Sequence, residues 1–179
     1  MLSDKMNNAL NLQINAETFS AYLYASMAAH FESLGLRGLA RWMSLQAREE
    51  MFHAIKFFNF VVGRGGQVRL TALEAPPVTW ASPLAVFQET LVHERKVTGL
   101  INNLVNLAKA ESDHASDVFL QWFVTEQVEE ESSAEEIIQK LKLAGDTGPG
   151  LFMMDAELGR RVLSPLVAAA LTGAPAPAA

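Results

Sequence analysis

Gln46-Ala47-Arg48-Glu49-Glu50-Met51-Phe52-His53 lies in the middle of a segment where Leu39, Met43, Gln46, Glu50, His53 and Phe57 recur at steps of three and four. That recurrence is the period of an α-helix with a single inward stripe. Glu50 and His53 both fall on the stripe, about 60° apart around the axis, so their side chains reach toward one point. A carboxylate in an apolar seam loses hydration worth several kcal/mol and must be neutralised, paired or bound to a cation. Glu-x-x-His on a buried face is therefore a metal-ligand spacing.

Three further stripes flank this one. Met6, Leu10, Ile14, Glu17, Ala21, Tyr24 and Ala28 define a first helix that Ser3 or Asp4 caps and that runs to about Leu34. The break at 35–38 is short enough to make the first and second helices antiparallel neighbours. Ser82-Pro83 opens a third helix bearing Phe87, Leu91, Glu94, Thr98, Ile101, Val105 and Ala108. After a turn at Ser112-Asp113-His114, a fourth carries Leu120, Phe123, Gln127, Glu130, Ala134, Ile137 and Leu141 and ends near Gly145. Between Gly63 and Ser82 there is no helical or strand rhythm. About eighteen extended residues span up to roughly 60 Å, more than the roughly 40 Å of such a helix, so this loop can cross the whole bundle and make the second and third helices parallel.

The expected fold is all-α: a four-helix bundle with a long crossover between its second and third helices. A short fifth helix, Leu151 to about Arg161, follows Gly148-Pro149-Gly150. Residues 1–161 form one domain, and 162–179 are read as a disordered C-terminal tail. The apolar run Val162 to Leu171 contains Pro165 and is too short for a bilayer core of about 30 Å, so no membrane partner is expected.

Composition narrows the chemistry. The 179 residues are 50% hydrophobic and 19% charged, with a formal net charge of −6 and no Lys/Arg cluster, which argues against nucleic acid or an anionic membrane as partner and for cations. With no cysteine, thiolate sites, iron–sulfur clusters and disulfides are excluded, so a metal must be held by oxygen and imidazole. The first residues lack the basic start and apolar core of a secretory signal, which makes the cytoplasm the expected compartment.

Glu17, Glu50, Glu94 and Glu130 fall near the middle of the four stripes, one per helix. With His53 and with Gln127, three residues before Glu130, they make a two-metal pocket that suits iron or manganese. Two cations about 3.5 to 4 Å apart let dioxygen take electrons from both, so the reaction expected is oxidation of Fe(II). Tyr24, two turns after Glu17, either hydrogen-bonds a ligand, donates an electron, or is a packed core tyrosine. Trp122 is read as core packing beside Phe123. Glu49, Glu126 and Glu129 flank the proposed ligands and offer an accessory metal position outside the four-helix core. His30, His93 and His114 have no comparable partners and are read as surface residues.

The residues that carry this pattern resemble a known family. Ala16-Glu17-Thr18 with Tyr24, the stretch from Gln46 to His53, Phe87-Gln88-Glu89-Thr90-Leu91-Val92-His93-Glu94, the stretch Phe119 to Glu131, and Leu143-Ala144-Gly145 ahead of Gly150-Leu151-Phe152 are similar to the bacterial non-haem ferritins over roughly residues 1 to 160. The resemblance implies a shell of 24 identical subunits that oxidises ferrous iron with dioxygen or peroxide and stores a ferric mineral. It further implies that Glu17, Glu50 and His53 hold one iron, that Glu50 bridges to a second bound by Glu94 and Glu130 with Gln127 beside it, and that Glu49, Glu126, Glu129 and Glu130 form a third site. The fifth helix would pack at fourfold axes. The chain departs from the family after Arg161, where the tail is longer and more apolar.

Bacterioferritin is the nearest rival, but it carries a second Glu-x-x-His on the fourth helix, where this chain has Gln127-Val128-Glu129-Glu130. Met51 lies where that family places a haem-ligating methionine, yet a helical Met is ordinarily packing, and no haem is expected. A rubrerythrin-like peroxidase needs a four-cysteine iron site. A DNA-protecting mini-ferritin would lack Glu50-x-x-His53 paired with Glu94 in one subunit. A non-catalytic helical scaffold with partly protonated acids is the reading from a different class.

Overall fold

Each of the four long helices starts where a side-chain oxygen or a neighbouring element can satisfy its first N–H groups. In the computed structural model, which describes residues 1–145 and 147–172, α1 spans Asp4–Ser33, α2 Arg37–Gly63, α3 Pro83–Ala110 and α4 His114–Ala144. Ser3 Oγ accepts from the Met6 N–H at 3.0 Å, Ser82 Oγ from Ala85 at 3.1 Å, and Asp113 Oδ1 from Ser116 at 3.2 Å. The N-cap of α2, Leu36, has no side chain able to cap. That role passes to α5 (Gly148–Leu158), whose Asp155 Oδ1 accepts from Gly38 N–H at 2.8 Å and Leu39 N–H at 3.0 Å. The approach is close enough to require glycine, since a Cβ on Gly38 would lie 1.7 Å from the Asp155 carbonyl oxygen.

The crossover, 64–82, runs beside α1 in the same direction as that helix. Asn7 and Asn11 donate to the Gln67 carbonyl at 3.3 and 2.9 Å, Asn11 Oδ1 accepts from Arg69 N–H at 2.5 Å, Thr71 donates to Asn15 at 2.9 Å, and Ser26 donates to the Pro77 carbonyl at 2.5 Å. Nineteen residues of helix separate Asn7 from Ser26, about 28 Å of length. The loop therefore returns the chain to the end where α2 began, and α2 and α3 are parallel, as expected.

The helices α1 and α2 pack closely, as do α3 and α4, and α1 also meets α3. By contrast, no Cα of α2 comes within 8 Å of one on α4 among the described residues. Side chains alone cross that gap, among them Phe57 stacked on Phe123 with centroids 4.1 Å apart and Arg64 paired with Asp113 at 3.1 Å. The apolar core is split into two clusters. One contains Tyr24, Met27, Phe31, Leu39, Met43, Phe87 and Leu141, and the other Leu10, Ile14, Phe57, Ile101, Leu120 and Phe123. The buried acids lie between the two.

Two boundaries differ from expectation. The fifth helix begins at Gly148 and ends at Leu158, so Arg161 lies beyond it. The segment after it was read as a disordered tail, but Pro165–Thr172 forms a further helix, α6, with Ser164 Oγ accepting from the Val167 N–H at 3.3 Å. Val167 and Ala169 are buried, and α6 packs on α2. An apolar run too short for a membrane has a helical solution when it can cover part of another helix. The remainder of that tail, 173–179, lies outside the described residues. Among the described residues no helix is long and apolar enough to cross a membrane.

Candidate metal centre

Glu17 from α1, Glu50 and His53 from α2, Glu94 from α3 and Glu130 from α4 are all at most 7% exposed and occupy the polar layer between the two clusters. Ligand atoms of Glu17, Glu50 and His53 lie within 4.8 Å of one another, and so do those of His53, Glu126 and Glu130. His53 Nδ1 stands 3.5 Å from Glu50 Oε2. Glu17 Oε2 and His53 Nε2 are fully buried and meet no hydrogen-bond partner. A buried polar atom without a partner costs about 1–3 kcal/mol. One acceptor oxygen and one ring nitrogen, both aimed into an acidic layer, are the arrangement a cation resolves.

The other oxygens are held by amides and a phenol. Gln13 Nε2 donates to Glu17 Oε1 at 2.8 Å, and Gln46 Nε2 donates to Glu130 Oε2 at 2.5 Å and to Glu50 Oε1 at 3.4 Å. Gln127 Nε2 donates to Glu94 Oε2 at 3.2 Å, and the Tyr24 hydroxyl donates to Glu94 Oε1. Tyr24 thus contacts a candidate ligand directly, which decides between the readings of that residue in favour of a hydrogen bond to the site.

Burial dominates the electrostatics. It pushes the carboxyls of Glu17, Glu50 and Glu130 well above the ordinary range, and the neighbouring carboxylates push further, Glu50 acting on Glu17 and Glu94 on Glu50 and Glu130. Glu94 is raised by burial too, but the hydrogen bonds from Tyr24 and Gln127 pull it back. Without metal the layer holds protons. A divalent cation would replace them, which is how a cluster of like charges becomes tolerable.

The accessory position is only partly assembled. Glu126 is half-buried beside His53 and Glu130, its carboxyl raised by burial. Glu129, expected there, is exposed and joins neither group, because it is one residue, about 100° around the helix, from Glu130. Glu49 is 8% exposed and paired with the guanidinium of Arg161.

Two of the three histidines read as surface residues are not. His30 is buried between Phe31 and Trp80, and His93 packs against Phe19 and Tyr24 with Nε2 2.8 Å from Ser20 Oγ; burial and then the Lys96 charge lower its pKa to about 4. His114 is exposed. Trp122 meets His53 edge-on at 5.4 Å and carries the Lys56 ammonium 3.7 Å above its ring, so it lines the site as well as packing beside Phe123. Met51 is 39% exposed on the outer side of α2.

Residues absent from the expected site are Gln13, Gln46 and Arg161. The first two stand four residues before Glu17 and Glu50, a repeated Gln-x-x-x-Glu step that was legible on both helices. Arg161 is separated from Glu49 by 112 residues, and no local pattern marks it.

Comparison with known proteins agrees with this geometry. The family model of the ferritin-like domain matches residues 7–144. The bacterial non-heme ferritin of Bacteroides fragilis is 45% identical over 161 residues, 90% of this chain and 100% of that protein. That of Staphylococcus aureus is 39% identical over 161 residues, 90% and 97%. Among solved structures, the open-pore ferritin of Archaeoglobus fulgidus superposes with a TM-score of 0.89 at 52% identity, covering 90% of this chain and 99% of the other. A form of that ferritin engineered to be closed gives 0.90 at 51%, covering 92% and 100%.

Proposed function

The chain belongs to the ferritin-like family and is an iron-storage protein; from that premise we propose that it oxidises Fe(II) at a di-iron centre inside each subunit and stores the product in a shell of 24 copies. Glu17, Glu50 and His53 hold one iron, and Glu50 bridges to a second held by Glu94 and Glu130, with Gln127 and Tyr24 fixing the Glu94 carboxylate. Support comes from the two unpartnered atoms, Glu17 Oε2 and His53 Nε2, buried among acids from all four helices.

Iron here is substrate. Fe(II) binding releases the protons held on Glu17, Glu50 and Glu130, and the oxygen-rich ligand set favours the harder ferric ion once formed. Two ferrous ions supply the two electrons, and solvent the two protons, that convert dioxygen to hydrogen peroxide; peroxide itself serves as an alternative two-electron oxidant. Apolar walls from both core clusters keep other reductants away.

Assembly is supported by exposed apolar side chains along the outer faces of α1 and α2, including Tyr22, Met51, Ile55 and Phe58. The absence of a secretory signal pattern favours the cytoplasm. The test is a size measurement by light scattering before and after aerobic Fe(II) loading. A particle of about 24 subunit masses carrying many irons per subunit is expected. A monomer or dimer that oxidises iron without retaining it would overturn storage. An absorbance scan lacking a Soret band is expected, and a haem spectrum would favour the bacterioferritin reading instead.

A further inference from the structure

Arg161 lies in the link between α5 and α6, and its side chain reaches back to the inward end of the metal layer. One nitrogen, Nη1, donates to Gln46 Oε1 at 2.7 Å and to the Trp42 carbonyl at 3.4 Å. The other, Nη2, donates to Glu49, and the guanidinium carbon lies 4.4 Å from the centre of the Trp42 ring. The residue is held from both sides in sequence: α5 docks through Asp155 on the start of α2, and α6 buries Val167 and Ala169.

Two consequences follow from donor chemistry. A guanidinium has no acceptor, so the Gln46 amide must turn its oxygen to Arg161 and its nitrogen to Glu130 and Glu50. And the only carboxylate that would give the accessory position a ligand of its own on α2, Glu49, is already paired with a fixed positive charge. What remains there is Glu126, next to His53 and Glu130, which the di-iron centre claims. A second intrinsic cation, Lys56, also lies near Glu126 and is lowered by burial against the pull of that carboxylate.

We propose that Arg161 is a built-in counter-cation that takes the place of a third metal at Glu49 and, through Gln46, acts as a positioning residue for Glu130 and Glu50. This rests on the di-iron reading above. It makes the subunit a two-iron centre whose inward wall is fastened by the chain's own C-terminal segment. A divalent cation at Glu49 would have to displace the guanidinium or sit beside it, and like charges that close repel strongly in a poorly solvated site.

The test is anaerobic Fe(II) titration of the assembled full-length protein, read as irons bound per subunit. Wild type is expected to take about two, Arg161→Ala about three, and Arg161→Ala with Glu49→Ala about two again. Arg161→Lys, which keeps the charge, should stay at about two. Co(II) substitution adds a spectroscopic readout: loss of the Gln46 clamp should shift the visible bands of the wild-type di-cobalt centre in Arg161→Ala and leave them unmoved in Arg161→Lys. If Arg161→Ala fails to assemble, Arg161→Gln keeps a donor of similar length without the charge and should also bind about three. Three irons in wild type, or two in both neutral variants, would overturn the proposal while leaving the di-iron reading intact. No tight iron in any variant would overturn both.

Discussion

Replacing Glu50 with Gln should make the metal-free protein more stable near neutral pH and flatten its dependence on pH. Glu50 is buried, and its pKa is pushed well above the ordinary 4.5 by burial first and by Glu94 second. A carboxyl raised in this way keeps a proton in the fold that the unfolded chain has lost. Its stabilising contribution is complete below the unfolded value and is lost as pH rises through the folded one, so stability falls with pH. Each such proton contributes a slope of about 1.4 kcal/mol per pH unit. Between pH 5 and 7, a Glu50 that stays protonated in the fold costs about 3 kcal/mol, or about 5 to 10 °C in melting temperature for a chain of this length. Two other groups bear on the window. His93, lowered to about 4, gives a slope of opposite sign below the ordinary histidine value of 6.5, but it is present in both proteins and cancels in their difference. Asp113 is lowered by its bonds to Ser116 and Arg64 against the penalty of burial, and acts only below its ordinary 3.8. The assay is thermal melting with chelator at fixed protein concentration at pH 5, 6 and 7, comparing wild type with Glu50→Gln. The wild-type melting temperature should drop more steeply, and the variant should melt higher at pH 7. Parallel curves, or a variant that melts lower at pH 7, would show that Glu50 is not a buried, proton-holding acid.

Other outcomes follow from the same contacts. His53→Ala and Glu50→Ala should each slow Fe(II) oxidation by about tenfold to a hundredfold or more in stopped-flow absorbance while the size-exclusion mass stays unchanged; wild-type rates would refute the ligand assignment. Tyr24→Phe removes the donor to Glu94 and should lower stability by about 1–3 kcal/mol in the metal-free protein, measured by chemical denaturation, with a smaller loss once a cation occupies the site. Asp155→Ala uncaps α2 and should cost about 0.5–2 kcal/mol, with protease cleavage appearing first in the segment after Ala144.

The four helices, their caps and the crossover were readable because each depends on residues close in sequence. The Ser82-Pro83 start, the Asp113 turn and the apolar stripes are statements about one helix at a time. The ligands were readable for the same reason: a mid-stripe Glu declares its own burial, and four of them at similar depth declare a layer. The misreadings share the opposite property. Glu49 and Glu129 have the right residue type beside the right ligands, but a one-residue step turns each about 100° away from its neighbour, and what each then meets depends on a distant element. For Glu49 that element is Arg161; for Glu129 it is solvent. His30 and His93 looked unpartnered because their partners, Trp80 and Ser20, come from the crossover and from another helix. The tail was misread because an eight-residue apolar segment has no stable helix alone and acquires one only against α2.

This division has a physical consequence for the metal layer. The depth of a ligand along its helix is set locally, so the iron-binding geometry survives wherever the four stripes survive. The charge balance around that geometry is set by contacts across the α2–α4 gap, which no backbone contact closes and which Gln46, Arg161 and the stacked aromatic rings bridge with side chains alone. Side-chain bridges re-form at low cost when a cation enters or leaves, whereas packed backbone does not. A bundle tight between α1 and α2 and between α3 and α4, but joined across the metal layer by exchangeable hydrogen bonds, can take up two ferrous ions, give up their protons and pass ferric ions inward without moving a helix.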